Sequence, residues 1–232
     1  MIGVERLKES IYKDCYFTEK VGCLTVKNEE DVAGSTLMSV DLQSKGRFIN
    51  LSNEILREGN DIYKKEDRDA GCISYRRDCD GICLLELNGR NILLVIEVKS
   101  GFNEVKKKGF EQLVASYVKI RGILQSIEGY NPAEYEEIGL LVSYPPGGNL
   151  SIPKTNMIGI KKDRIAPTVL DRLNNINSTK LRVDNEIMLE LNDYKVDACH
   201  VNPAMYNRQL RVKHVSVPNQ VSSETIDLDS YL

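Results

Sequence analysis

Residues 78–99 read Asp-Cys-Asp-Gly-Ile-Cys-Leu-Leu-Glu-Leu-Asn-Gly-Arg-Asn-Ile-Leu-Leu-Val-Ile-Glu-Val-Lys. Two apolar runs flank Asn88-Gly89, a pair suited to the two positive-φ positions of a type I′ turn. The pattern predicts a β-hairpin. With a two-residue turn, Leu87 opposes Arg90, Asp80 faces Glu97 and Asp78 faces Lys99. The pleat repeats every two residues, so these four charged side chains fall on one face of the sheet. Opposed carboxylates about 5 Å apart, at an effective dielectric of about 20, repel by roughly 3 kcal/mol. That is a large fraction of a domain's net stability. A bound divalent cation, the Lys99 ammonium or a proton held on one acid would offset it.

Ile82, Cys83, Leu84 and Leu85 lie opposite Ile92, Leu93, Leu94 and Val95. Apolar residues on both faces place the hairpin centrally in a sheet. Its charges therefore sit at the end of a buried element, where ionised groups need partners or metal. Hard cations take oxygen ligands, often one or two carboxylates together with substrate phosphates. An acidic pair beside a lysine suits metal-assisted phosphodiester hydrolysis. The same register also admits a plain ion ladder, with Asp78 paired to Lys99 and with Asp80 and Glu97 solvated, a feature worth little energetically.

Asp80, an apolar strand, a turn and Glu97-Val98-Lys99 together resemble the signature of the PD-(D/E)XK nuclease superfamily. The resemblance spans residues 47–145. It implies an α/β fold in which a mixed central β-sheet is flanked by helices, a restriction-endonuclease-like core. It further implies that Asp80 and Glu97 ligate Mg²⁺ or Mn²⁺, with the Val98 carbonyl as another ligand. Lys99 would position the attacking water or stabilise the transition state. Cys79 stands where the family places proline, and the spacing from Asp80 to Glu97 is longer than in compact members.

The flanking segments extend this frame. From Arg47 to about Lys65, Phe48, Leu51, Ile55 and Ile62 form a helical stripe, which predicts a helix before the hairpin. By the resemblance such a helix often carries one more acid; Glu58 falls on the stripe and Glu54 at its edge. Arg76 and Arg77 precede the acids and are candidate phosphate contacts. After the hairpin, residues 104–128 are predicted as a helix with Phe110, Leu113, Val114, Tyr117, Leu124 and Ile127 on its apolar side and Gly129 as its stop. It begins with Lys106-Lys107-Lys108. Members related to recombination nucleases carry a Gln and a Tyr here; Gln112 and Tyr117 are five apart rather than four. Gln112 and Asp78 are therefore candidates for second-tier support of the site or for phosphate contact, and Tyr117 for the core. The chain must then cross to a further strand, Glu137 to Tyr144, ended by Pro145-Pro146-Gly147-Gly148.

The remainder carries no motif. Residues 1–46 read as an N-terminal embellishment or dimer contact: a helix over 1–16 with Val4, Leu7, Ile11 and Cys15 at helical spacing, then strands over 22–27 and 36–42. Residues 150–217 read as a β-rich C-terminal extension, with strands over 157–160, 187–191, 194–201 and 209–217, a helix over 168–176, and a basic cluster of Lys161, Lys162 and Arg164. Residues 218–232 are polar and acidic and read as a loose tail.

Composition bounds the function. The 232 residues are 41% hydrophobic and 28% charged, with no tryptophan. No stretch has the length of a membrane span and the N-terminus lacks a signal-peptide layout, so the expectation is a cytoplasmic protein with no membrane partner. The net charge of −3 offers phosphate backbones no global attraction, so nucleic-acid binding would use a local basic patch or a partner protein. The six cysteines, Cys15, Cys23, Cys72, Cys79, Cys83 and Cys199, show no paired spacing and read as reduced core thiols. A zinc or iron–sulfur site from Cys72, Cys79 and Cys83, or from Cys199 and His200, is the alternative. Neither histidine, His200 or His214, has a visible partner for triad chemistry. The expected function is a Mg²⁺- or Mn²⁺-dependent nuclease acting on DNA in preference to RNA. The rival is a catalytically silent module of that fold, binding nucleic acid or a protein partner.

Overall fold

The computed structural model describes residues 1–11, 16–28, 37–60, 78–101, 109–144, 186–191, 208–218 and 221–232. The fold is mixed α/β, built on one sheet. Strands β1 (Phe17–Lys27), β2 (Ser39–Leu51), β3 (Gly81–Leu87), β4 (Arg90–Lys99), β5 (Tyr135–Ser143), β6 (Glu186–Glu190), β7 (Gln209–Ser216) and β8 (Ser223–Asp227) join in the order β1-β2-β3-β4-β5-β7-β6, and β8 pairs with β2. Among the described residues three α-helices accompany them: α1 (Val4–Ser10), α2 (Glu54–Asn60) and α3 (Phe110–Gln125).

The hairpin has the predicted turn and register. Asn88 and Gly89 take φ of 52° and 78°, and the ladder runs from Leu87↔Arg90 to Gly81↔Ile96. Alternation sorts β3 and β4 onto two cores. Ile82, Leu84, Leu93 and Val95 pack with α3, whereas Cys83, Leu85, Ile92 and Leu94 pack on the other face with Phe48, Ile138 and Leu140. The hairpin is central, as its two apolar faces require. The crossover is as expected: β5 runs parallel to β4, with Val95 beside Gly139.

The helix predicted over 47–65 is corrected. Residues 47–51 belong to β2, pairing with β3 from Arg47↔Glu86 to Leu51↔Ile82, and among the described residues of this span the helix is Glu54–Asn60. Phe48 and Leu51 fit a helical stripe by number, yet Phe48, Ile49 and Leu51 are all buried because β2 has apolar neighbours on both faces. The border drawn between residues 46 and 47 falls within this strand. Residues 1–11 join the core on this side of the sheet, where Ile2 and Leu7 cluster with Ile55 and Leu56 of α2. α3 is buried over most of its length, with Gln112, Ser116, Lys119 and Arg121 all buried and Gln125 exposed.

The described strands of the C-terminal third belong to the same sheet. β7 lies parallel to β5, and β6 pairs antiparallel to β7. The loose tail is also corrected. β8 runs parallel to β2 from Ser39↔Ser223 to Gln43↔Asp227, and Ile226 and Leu228 are buried in the face opposite α3. Arg90 Nη1 donates to the Leu232 carbonyl at 2.8 Å, and Lys213 reaches the Tyr231 carbonyl. Among the described residues no helix is long and apolar enough to cross a membrane. The elements expected over 157–160, 168–176 and 194–201 lie outside the described residues, as do Cys15, Cys72, Arg76, Arg77, Lys106–Lys108, Lys161, Lys162, Arg164, Cys199 and His200.

Candidate functional site

Glu97 and Lys99 follow Leu93 and Val95 in the alternation of β4, so they face α3. Asp80 stands two residues before Ile82, just outside β3. The β3–β4 ladder ends at Gly81, and Asp80 occupies a bend whose N–H donates to the Ile96 carbonyl at 3.0 Å. The next donor on β4, the Val98 N–H, has lost its strand partner; the Asp80 carboxylate replaces it, accepting through Oδ2 at 2.8 Å. The acid thus closes the ladder that its own strand leaves unfinished.

All three predicted catalytic side chains are buried, with Asp80 7%, Glu97 0% and Lys99 2% exposed. The solvated ion ladder is therefore not what forms. Lys99 Nζ lies 2.5 Å from Glu97 Oε1. Burial first, and then the charges of Glu97 and Asp80, push the Cys79 thiol far above its ordinary range. Both acids thus lie within electrostatic reach of one sulfur. A Cβ at Gly109, which precedes α3, would stand 3.7 Å from Glu97 Cγ and 3.9 Å from Lys99 Cγ.

Other candidates divide. Asp78 is not simply the cross-strand mate of Lys99, because its carboxylate pairs with Lys119 of α3. Burial lowers the affinity of Lys119 for its proton, and Asp78 acts to restore it. Gln112 is buried and donates Nε2 to the Asp78 carbonyl at 3.0 Å, so it supports the chain before Asp80. Glu54 and Glu58 are both exposed on the short α2; the stripe that would have turned Glu58 inward is absent because Leu51 is in a strand. Tyr117 is core, as expected, with its hydroxyl donating to Glu137 Oε2 at 2.5 Å. Cys79 and Cys83 are free thiols packed on opposite faces of the sheet, so they do not share a metal.

The groups expected to hold a metal, the Asp80 and Glu97 carboxylates and the Val98 carbonyl, are all oxygen donors at the end of a buried hairpin. Such a set fits a hard divalent cation, which accepts one or two carboxylates and completes its shell with water and phosphate. No group of three or more His, Cys, Asp or Glu side chains suited to a metal gathers among the described residues.

One polar contact had no sequence signal. Ser143 Oγ and His214 Nε2 lie 2.9 Å apart and both residues are buried. Register places Ser143 beside Lys99, and His214 beside Leu141. The Ser143 hydroxyl also lies 2.9 Å from the Tyr144 carbonyl, so its one proton has two acceptors within reach and the tautomer of the ring sets which it takes.

Burial lowers His214 from 6.5 to about 4. Unfolded chain therefore takes up a proton that folded chain refuses, and stability falls as pH drops from about 6.5 toward about 4. Urea denaturation should show about 2–3 kcal/mol lost between pH of about 7.5 and about 4.5 through this group, and His214→Gln should remove that component.

No protein-family model, no curated protein and no solved structure matches this chain.

Proposed function

We propose that the chain is a divalent-metal-dependent nuclease, acting on DNA in preference to RNA. The observation that carries this reading is the burial of Asp80, Glu97 and Lys99 at the end of the central hairpin, with Lys99 paired to Glu97 and Asp80 bound to the Val98 N–H between them. Asp80 and Glu97, with the Val98 carbonyl, are the residues that would hold Mg²⁺ or Mn²⁺. When bound, the cation supplies a lowered water pKa and neutralises charge developing on the phosphate. The chain's own groups prepare the place. Val98 N–H holds one Asp80 oxygen in a fixed direction. Lys99 Nζ holds a proton next to Glu97 Oε1, available for donation to a phosphate oxygen or for orienting a water. Apolar walls exclude bulk solvent, which strengthens each of these interactions.

A second reading, a catalytically silent module that binds nucleic acid or a protein partner, draws on the same ion pair. The Lys99 ammonium already neutralises Glu97 without any metal. Calorimetry with Mn²⁺ and cleavage assays on plasmid, linear and single-stranded DNA separate the two. Asp80→Asn keeps an acceptor for the Val98 N–H while removing charge, so it should leave the fold intact and abolish both Mn²⁺ binding and cleavage. Nicking that survives Asp80→Asn, or wild-type protein that binds no metal and cuts nothing, would sink the nuclease reading.

A further inference from the structure

The three residues that bring the chain to Asp80 are held by four side chains from two helical elements. Asn53, just before α2, donates Nδ2 to the carbonyls of Cys79 and Asp80, at 3.0 Å each. From α3, Gln112 Nε2 donates to the Asp78 carbonyl at 3.0 Å, Ser116 Oγ accepts from the Cys79 N–H at 2.8 Å, and Lys119 pairs with the Asp78 carboxylate. The Asp80 N–H is taken by the Ile96 carbonyl. Every backbone polar group from the Asp78 carbonyl to the Asp80 carbonyl is therefore bound, and all but one of these bonds goes to a side chain. Residues 112, 116 and 119 are spaced by four and then three, which sets them on one face of the helix.

The geometry points to Asn53, Ser116 and Lys119, with Gln112, as positioning residues that fix where the Asp80 carboxylate stands relative to Glu97. This inference rests on the reading of Asp80 as a metal-holding acid. A strand end frays unless its backbone is tied down. An acid that must share a cation with a neighbouring strand tolerates little displacement; a misplacement of about 1 Å can cost about a hundredfold in rate. The Lys119–Asp78 pair supports the same view. Buried ion pairs are weak contributors to stability, since apolar residues of similar volume often replace them at no loss. What such a pair supplies is direction: Lys119 on a rigid helix admits the Asp78 carboxylate in one place, and that place sets the chain two residues on.

The test uses the full chain in two forms, the double variant Asp78→Leu/Lys119→Met and the single variant Ser116→Ala. Native-state hydrogen exchange reads the Val98 amide, whose acceptor is the Asp80 side chain, against the Leu94 amide in the middle of the hairpin. The double variant should keep its urea midpoint, exchange Val98 about tenfold faster or more, leave Leu94 unchanged, and bind Mn²⁺ about 10–100-fold more weakly. Ser116→Ala should move Val98 and Mn²⁺ affinity in the same direction. Unchanged Val98 exchange in both variants would overturn the inference, because Asp80 would then hold its place unaided. So would failure of the double variant to fold, which would make the ion pair a stabilising contact. Wild-type protein that binds no Mn²⁺ while Val98 responds as expected removes the metal reading alone and leaves the positioning role standing.

Discussion

Lys99→Met should destabilise the folded chain by about 3–5 kcal/mol, measured by urea denaturation at neutral pH, because it leaves the Glu97 carboxylate buried without its ammonium. The side chains of Lys99 and Glu97 are 3% and 0% exposed, so water is not at hand to replace the lost partner. Adding Glu97→Gln to Lys99→Met should recover most of the loss, since the second change removes the charge that the first left stranded. Glu97→Ala and Lys99→Ala each leave one charge of the buried pair behind and should likewise cost stability, so the charge-neutral pair is the cleaner test of the proposed chemistry. If Lys99→Met leaves the urea midpoint where it was, the ion pair is not formed in solution. Mn²⁺ should partly restore the stability of Lys99→Met, because a cation held by Asp80 and Glu97 stabilises the folded state by mass action.

Removal of residues 222–232 should be comparably severe. The segment supplies β8 and the buried side chains of Ile226 and Leu228, and Ser44 Oγ donates to Asp229 Oδ1 at 2.6 Å. Burying two such aliphatic side chains is worth about 3–6 kcal/mol, a sizeable share of the 5–15 kcal/mol typical of a domain. The shortened chain is expected to melt far below the full one or to be recovered in aggregates. Leu228→Ala alone should cost about 2–5 kcal/mol, whereas a change at the exposed Ser223 should stay within about 0.5 kcal/mol. A shortened chain with an unchanged melting temperature would restore the loose tail.

Some elements of the fold were legible in the sequence and others were not. The hairpin was, because its instructions are local: positive-φ residues at the turn and apolar residues on both strands within 22 consecutive positions. The parallel step from β4 through α3 to β5 was also legible, since no short turn can join parallel strands. The segment 47–51 was not. Phe48, Leu51 and Ile55 satisfy a helical spacing, and only the presence of β3 alongside decides for a strand. The last residues were missed for the same kind of reason, as β8 finds its partner in β2, far back along the chain.

The sequence by itself determined the central hairpin, its register down to Gly81 and the neighbourhood of Asp80, Glu97 and Lys99, because turn chemistry and a period of two act between residues close in the chain. Only the tertiary structure decided that Asp80 bonds the Val98 N–H, that Lys119 takes Asp78, that Ser143 meets His214, and that the final strand closes on β2. Each of those contacts joins separate elements. Their geometry follows from which faces must be buried together, and the alternation within any one segment carries no information about its partner.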